Sequence, residues 1–256
     1  MTRTATPGFS LGRRGTPRAR GFTLVELMIA VAIALFLIGG ILTLVQSTRN
    51  AFATQTALAQ FQDNQRLTMT FMAEVIESAG YFPNPSLNTV GAVLPPTVPP
   101  PPAAPFTVTG QGVSGTVGDT ITVRFGAGPG DNVFGCNGSQ NIAVAPYDVF
   151  INTFSVDPVK QQLICTLTNG AGPQAPVILV NQVTNLQAVY GVKRSPADTG
   201  SCTDTYLITA QMLATDWPNV CSVTVSVTFI NPASATAAPV TITRVIAVMN
   251  AAGVNS

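Results

Sequence analysis

Histidine is absent from all 256 residues, which removes the commonest general base and the commonest zinc ligand. Charge is scarce too. Asp, Glu, Lys and Arg make up 9% of the chain, against about a quarter in an ordinary soluble domain. None of the four cysteines (Cys136, Cys165, Cys202, Cys221) forms a CxxC pair. No glycine-rich phosphate loop and no nucleophile elbow is found. The acids Asp148, Asp157, Asp204 and Asp216 are scattered, and each reads more simply as a turn residue. The chain is therefore not expected to be an enzyme, and neither a metal nor a cofactor is expected.

The charge that is present is unevenly placed. Residues 1–21 carry five arginines (Arg3, Arg13, Arg14, Arg18, Arg20) and no acid. From Phe22 onward seven bases face eleven acids, a balance of −4. A mildly acidic body has no electrostatic footprint for nucleic acid. The basic head marks a side that stays cytoplasmic next to a membrane segment.

That segment is LMIAVAIALFLIGGILTLV, 19 residues at 27–45 without a charge. It is long enough to cross about 30 Å of hydrocarbon as a helix. A removed signal peptide has a shorter apolar run and a small-x-small cleavage site after it, and neither fits here. Residues 46–79 contain no proline and no glycine. Leu58, Phe61, Met69, Met72, Ile76 and Ala79 recur on one helical face, with Gln65 filling the gap. Gly80 reads as a C-cap, followed by Pro83 and Pro85. One helix is thus predicted over about 22–80, with a transmembrane part and then an amphipathic part. Gly39-Gly40 inside it reads either as a close helix contact or as a place where the helix loosens outside lipid.

Residues 81–106 form a proline-rich loop, whose run PPTVPPPPAAP predicts an extended spacer. From 107 to 256 the pattern changes to period two. Thr120–Phe125, Val149–Val156, Gln162–Leu167, Val177–Val180, Ser222–Phe229 and Val240–Val248 are predicted strands, separated by Gly, Asn and Pro clusters. The pattern suits antiparallel strands with one covered face. Trp217 reads as a buried anchor, and Arg244 as a solvent-face or edge residue.

Across the membrane boundary the sequence is Arg20-Gly21-Phe22-Thr23-Leu24-Val25-Glu26-Leu27. This closely resembles the cleavage site of type IV prepilins. The resemblance implies cutting between Gly21 and Phe22 by prepilin peptidase, then methylation of the new N-terminus. The cut precedes the apolar run, so the mature chain keeps its helix. Glu26 is the one acid near the membrane core and needs a partner there. The resemblance supplies one: the N-terminal ammonium of a neighbouring subunit in the filament. The chain departs from the family in its long leader and in lacking the helix-breaking proline of major pilins.

Further on, QFQDNQRLTMTFMAEVIESAGY at 60–81, then LICTL, VTNLQAVYGV, DWPNVCSVTVSVTFIN and VTITRVIAVMN, resemble PilW-type minor pilins in content and order. The implied fold is pilin-like α+β: a long N-terminal helix packed on an antiparallel β-sheet domain. The implied function is a minor pilin that joins other minor pilins and the major pilin through its helix and initiates assembly at the filament tip. The implied locations are the inner membrane, with a periplasmic C-terminal domain, and then the pilus surface. A type II secretion pseudopilin of the J kind and a tip adhesin are the alternatives. In an exported domain the four cysteines read as two disulfides. Of three connectivities, near-neighbour pairing (Cys136–Cys165, Cys202–Cys221) is preferred.

Overall fold

The computed structural model describes residues 21–116, 120–142, 144–195, 202–232 and 237–248. Residues 1–20, which hold the expected leader and its arginines, lie outside them. The chain divides into two compact units, one ending at Ala53 and one beginning at Thr54. Helix α1 (Leu24–Glu77, 54 residues) contributes to both.

Over residues 27–45 α1 carries no charge and is exposed, from Leu27 at 61% to Val45 at 42%. It is long and apolar enough to cross a membrane by length and composition. The helix runs unbroken through Gly39-Gly40. The Thr43 and Thr48 hydroxyls donate to the carbonyls of Gly40 (2.8 Å) and Leu44 (2.9 Å), so each satisfies itself on its own helix.

In the second unit α1 buries one stripe: Phe61, Gln65, Met69, Met72, Ala73 and Ile76 among others. Leu58 departs from the sequence expectation and stands 44% exposed, because the stripe meets the sheets only from Phe61 onward. Gly80 follows the helix at φ 77. Its N–H donates to the Arg124 carbonyl at 2.8 Å, so the turn ties helix to sheet rather than closing the helix on itself. Gly112 must be glycine for a different reason: a Cβ there would collide with the Gly80 backbone.

Among the described residues ten strands form two sheets. The first holds β1 (Val113–Thr116), β2 (Thr120–Ala127), β3 (Asp148–Asp157), β4 (Gln162–Asn169) and β5 (Gly172–Pro173) in that order, with β6 (Val177–Asn181) also on β4. The second holds β7 (Val183–Val192), β8 (Thr205–Ile208), β9 (Val220–Phe229) and β10 (Val240–Ala247) in the order β10-β9-β7-β8. Every pairing is antiparallel. Strand β9 keeps period two: Val223, Val225, Val227 and Phe229 face the core. Its other face pairs hydroxyls across to β10, Ser226 with Thr243 at 2.8 Å and Thr228 with Thr241 at 2.9 Å.

One core joins the α1 stripe to the inner faces of both sheets. Phe61 meets Phe229 edge-on with ring centroids 5.6 Å apart. Fully burying a side chain of this kind contributes about 1.5–3 kcal/mol. Trp217 is half-buried rather than fully buried, and lies edge-on to Tyr190 at 4.9 Å. Cys136 is joined to Cys165 and Cys202 to Cys221, with Cα separations of 6.1 and 5.9 Å. The first bridge pins the loop before β3 onto β4. The second pins the segment before β8 onto β9.

Strands β2 and β3 are buried on both faces. One face carries Val123, Phe125, Phe150 and Phe154 into the core. The other carries Thr122, Arg124 and Thr153, all almost fully buried. The cover is the proline-rich segment, which overturns the spacer expectation. Residues 81–112 form a strap with its own short helix α2 (Val90–Val93), N-capped by Thr89, and a bridge between Thr97 and Phe106. Its own Val93, Leu94, Ala104 and Phe106 are buried. The Ala104 N–H donates to Thr122 Oγ1 at 3.0 Å, and Ser114 Oγ to the Pro105 carbonyl at 2.7 Å. Proline cannot add to a sheet ladder, but it leaves carbonyls free to accept, and side chains of β1 and β2 supply the donors.

Candidate processing and assembly site

The motif residues come together at the head of α1. Gly21 lies outside regular secondary structure, with open space where a Cβ would stand. Phe22 follows at 82% exposure. Thr23 caps the helix: its Oγ1 accepts the Glu26 N–H at 3.3 Å and its carbonyl accepts the Leu27 N–H at 3.1 Å. Thr-Leu-Val-Glu has the spacing of a capping box, in which a Ser or Thr and an acid three residues later share the first N–H groups of a helix. The same spacing puts Glu26 in the first turn, where the helix dipole favours a negative charge. A carboxylate therefore stands at the head of an exposed apolar rod, one turn from the Gly21-Phe22 bond.

The four acids weighed for catalysis do not form a cluster. Asp157 Oδ1 accepts the N–H groups of Val159 (2.9 Å) and Lys160 (3.0 Å), which holds its carboxyl below the ordinary range. Asp204 accepts from the backbone of Ser195 and Arg194 and is lowered for the same reason. Asp216 takes a two-pronged bond from Arg194, Nε to Oδ1 at 2.9 Å and a terminal nitrogen to Oδ2 at 2.6 Å. That pair lowers Asp216 and raises Arg194. Asp148 Oδ1 accepts the N–H groups of Val149 and Gly170, both at 2.8 Å. Among the described residues no group of three or more His, Cys, Asp or Glu is placed to hold a metal ion.

Arg124 is a buried charge that the sequence analysis did not single out. It shares one face of β2 with Thr120 and Thr122. The side chain is fully buried. Its Nε and one terminal nitrogen donate to the Gln111 carbonyl at 3.2 and 2.9 Å. The same terminal nitrogen reaches the Leu94 carbonyl at 3.2 Å, and the other binds the Pro95 carbonyl. Its guanidinium carbon sits 4.3 Å from the centroid of the Phe106 ring. Burial pushes its pKa down to about 10, so it stays charged at neutral pH. Arg244 stands exposed on the edge strand β10, in the kind of place the sequence suggests.

Residues 16–42 match the family described as the prokaryotic N-terminal methylation motif. An N-terminal methylation motif heading an exposed apolar helix defines a type IV pilin-like protein. Residues 150–245, from β3 to β10, match the family described as Type IV Pilus-assembly protein W, so the sheet region carries a PilW domain. Among solved structures the chain is similar to a type IV-like pilin from Thermus thermophilus, at 14% identity and a TM-score of 0.43, over 75% of this chain and 97% of that one. No curated protein matches. Proteins of this kind are processed by prepilin peptidase and assemble with other pilins.

Proposed function

We propose that the chain is a minor pilin of the type IV pilus, cut after Gly21 and built into the filament through α1. The leader keeps the basic N-terminus cytoplasmic, residues 27–45 span the inner membrane, and the sheet domain folds in the periplasm. In the filament the Glu26 carboxylate pairs with the Phe22 ammonium of a neighbouring subunit and fixes register. The protein joins other minor pilins in the complex that starts assembly and remains at the tip. The observation that carries this reading is Glu26: an acid in the first turn of an exposed apolar helix, inside a methylation motif.

Glu26→Ala separates a filament subunit from a simple anchor. Apolar length alone suffices for insertion, so the variant is expected to be cleaved and membrane-bound like wild type. Breaking one member of a buried pair costs about 3–5 kcal/mol, a loss of about 150- to 4,000-fold in local association. Surface pilus yield and co-purification of other minor pilins are therefore expected to fall in cells carrying only the variant. Normal piliation with normal co-purification refutes the assembly role.

A further inference from the structure

Strand β10 ends the second sheet, and nothing among the described residues pairs with its outer edge. The Val248 N–H donates to the Cys221 carbonyl at 2.8 Å, next to the Ala247–Ser222 pair of the ladder. The register is regular back to Val240, so Ile246, Arg244 and Ile242 also turn their backbone groups toward β9. The N–H and carbonyl groups of Thr241, Thr243, Val245 and Ala247 therefore point away from the sheet, and all four residues are exposed.

The other sheet ends are blunted. Strands β1 and β8 are four residues long, β5 is two and holds Pro173, and β6 slips register against β4. Strand β10 runs eight residues with no proline, glycine or bulge. Its inward residues Val240 and Ile242 pack on the core yet stay half-buried, because no strand follows them. Arg244 lies between Ile242 and Ile246 on that inward row. It is exposed, its bond to the Met69 carbonyl is long at 3.5 Å, and no acid pairs with it among the described residues. An inward-pointing charge keeps an edge from pairing with a neutral or like-charged strand. A strand with an acid at the facing position is the one that charge admits.

We propose that the outer edge of β10 docks an extended segment of another protein subunit, added as a further strand with an acidic side chain opposite Arg244. Main-chain pairing supplies the attachment and the facing side chains supply the choice of partner. Arg244 falls at a non-hydrogen-bonded pair of the new ladder, where Cα atoms stand about 4.5 Å apart and side chains are closest. Residues two positions to either side lie along the inward row of β10 and cover the rim at Ile242. A second copy of the chain does not fit through its own β10, whose inward row of Val240, Ile242, Arg244 and Ile246 offers no acid. The proposal does not depend on the role given to Glu26.

The test uses the full chain in detergent micelles and the capped peptide Thr-Ile-Thr-Glu-Thr-Val-Thr, whose inward row is Ile, Glu and Val. One control carries Lys in place of Glu, and another carries N-methyl groups on the Thr amides, which face the edge. By calorimetry the Glu peptide is expected to bind saturably, about threefold to thirtyfold tighter than the Lys peptide, and the methylated one not at all. At saturation the Thr243 and Val245 amides are expected to exchange about tenfold or more slower by residue-resolved NMR. Thr243→Pro removes an outward N–H without touching the ladder to β9, and is expected to abolish binding. Arg244→Glu is expected to reverse the preference in favour of the Lys peptide; this reversal decides the matter if Thr243→Pro does not fold. Equal binding of the Glu and Lys peptides, binding of the methylated peptide, or no saturable binding overturns the proposal. So does a preference that Arg244→Glu leaves unchanged. Self-association of the chain that Thr243→Pro abolishes assigns the edge to a second copy and overturns the acidic partner.

Discussion

Replacing Arg124 with alanine removes every hydrogen bond its side chain gives to the strap. The Leu94 carbonyl keeps a second donor, the Gly110 N–H at 2.9 Å. The Pro95 and Gln111 carbonyls lose their side-chain donor. An orphaned buried acceptor costs about 1–3 kcal/mol, and the lost contact over Phe106 about 0.5–2 kcal/mol more. Against this, the substitution relieves the desolvation that pushes the guanidinium down to about 10. Water also reaches some of the freed carbonyls. The net loss is about 2–4 kcal/mol, well inside the range of severe single substitutions. A domain with about 5–15 kcal/mol of stability stays folded under that loss. The damage is therefore local: the strap opens while the core of α1 and the two sheets holds.

Hydrogen exchange read by mass spectrometry on the full chain in detergent measures this. Amides tied by the strap (Thr97, Ala104, Phe106, Gly110) are expected to exchange about 30- to 700-fold faster in Arg124→Ala, with β7 and β9 unchanged. Arg124→Lys is expected to fall between, because a point-charge ammonium cannot serve three carbonyls at once. Unchanged exchange over 97–110 would refute the reasoning, and so would a uniform loss of protection through β7 and β9.

Three further outcomes are expected. Gly21→Leu puts a bulky side chain where the backbone is now open, so the precursor is expected to persist uncut; wild-type chain is expected to begin at a methylated Phe22 by mass spectrometry, and equal cleavage of both refutes the site. Asp216 is held below its ordinary value of about 3.9 chiefly by the Arg194 hydrogen bond, so its contribution is present above that pH and is lost as pH falls through the lowered value. Asp216→Asn is thus expected to be less stable at neutral pH and to show a shallower decline in acid; parallel stability–pH curves count against the pair. Cys136 and Cys165 are 1% and 0% exposed whereas Cys202 is half-buried, so mild reductant is expected to open Cys202–Cys221 first. Removing either bridge is expected to cost about 3–4 kcal/mol, read as the shift in the denaturant midpoint.

Local rules sufficed where a residue's role depends on its near neighbours in the chain. The methylation motif was legible because its spacing from the apolar run is a one-dimensional fact. The helix was legible because nothing from 24 to 77 interrupts it except two glycines, and because its stripe keeps one period. Strand β9 showed itself through strict alternation. Strand β7 alternates as well, with Leu186, Ala188 and Tyr190 inward, but Asn185, Gln187 and a terminal glycine weaken its β character.

Tertiary structure decided what depends on distant segments meeting. Leu58 is apolar and in phase, yet exposed, because the sheets reach α1 only from Phe61 onward. The strap looks like a spacer because proline runs neither form helix nor extend a ladder. It becomes a cover because Arg124, Thr122 and Ser114 donate to its carbonyls or accept its N–H groups across nine to thirty positions in sequence. The burial of Arg124 has the same cause: alternation tells which residues share a face of a strand, but only the assembled chain tells what covers that face.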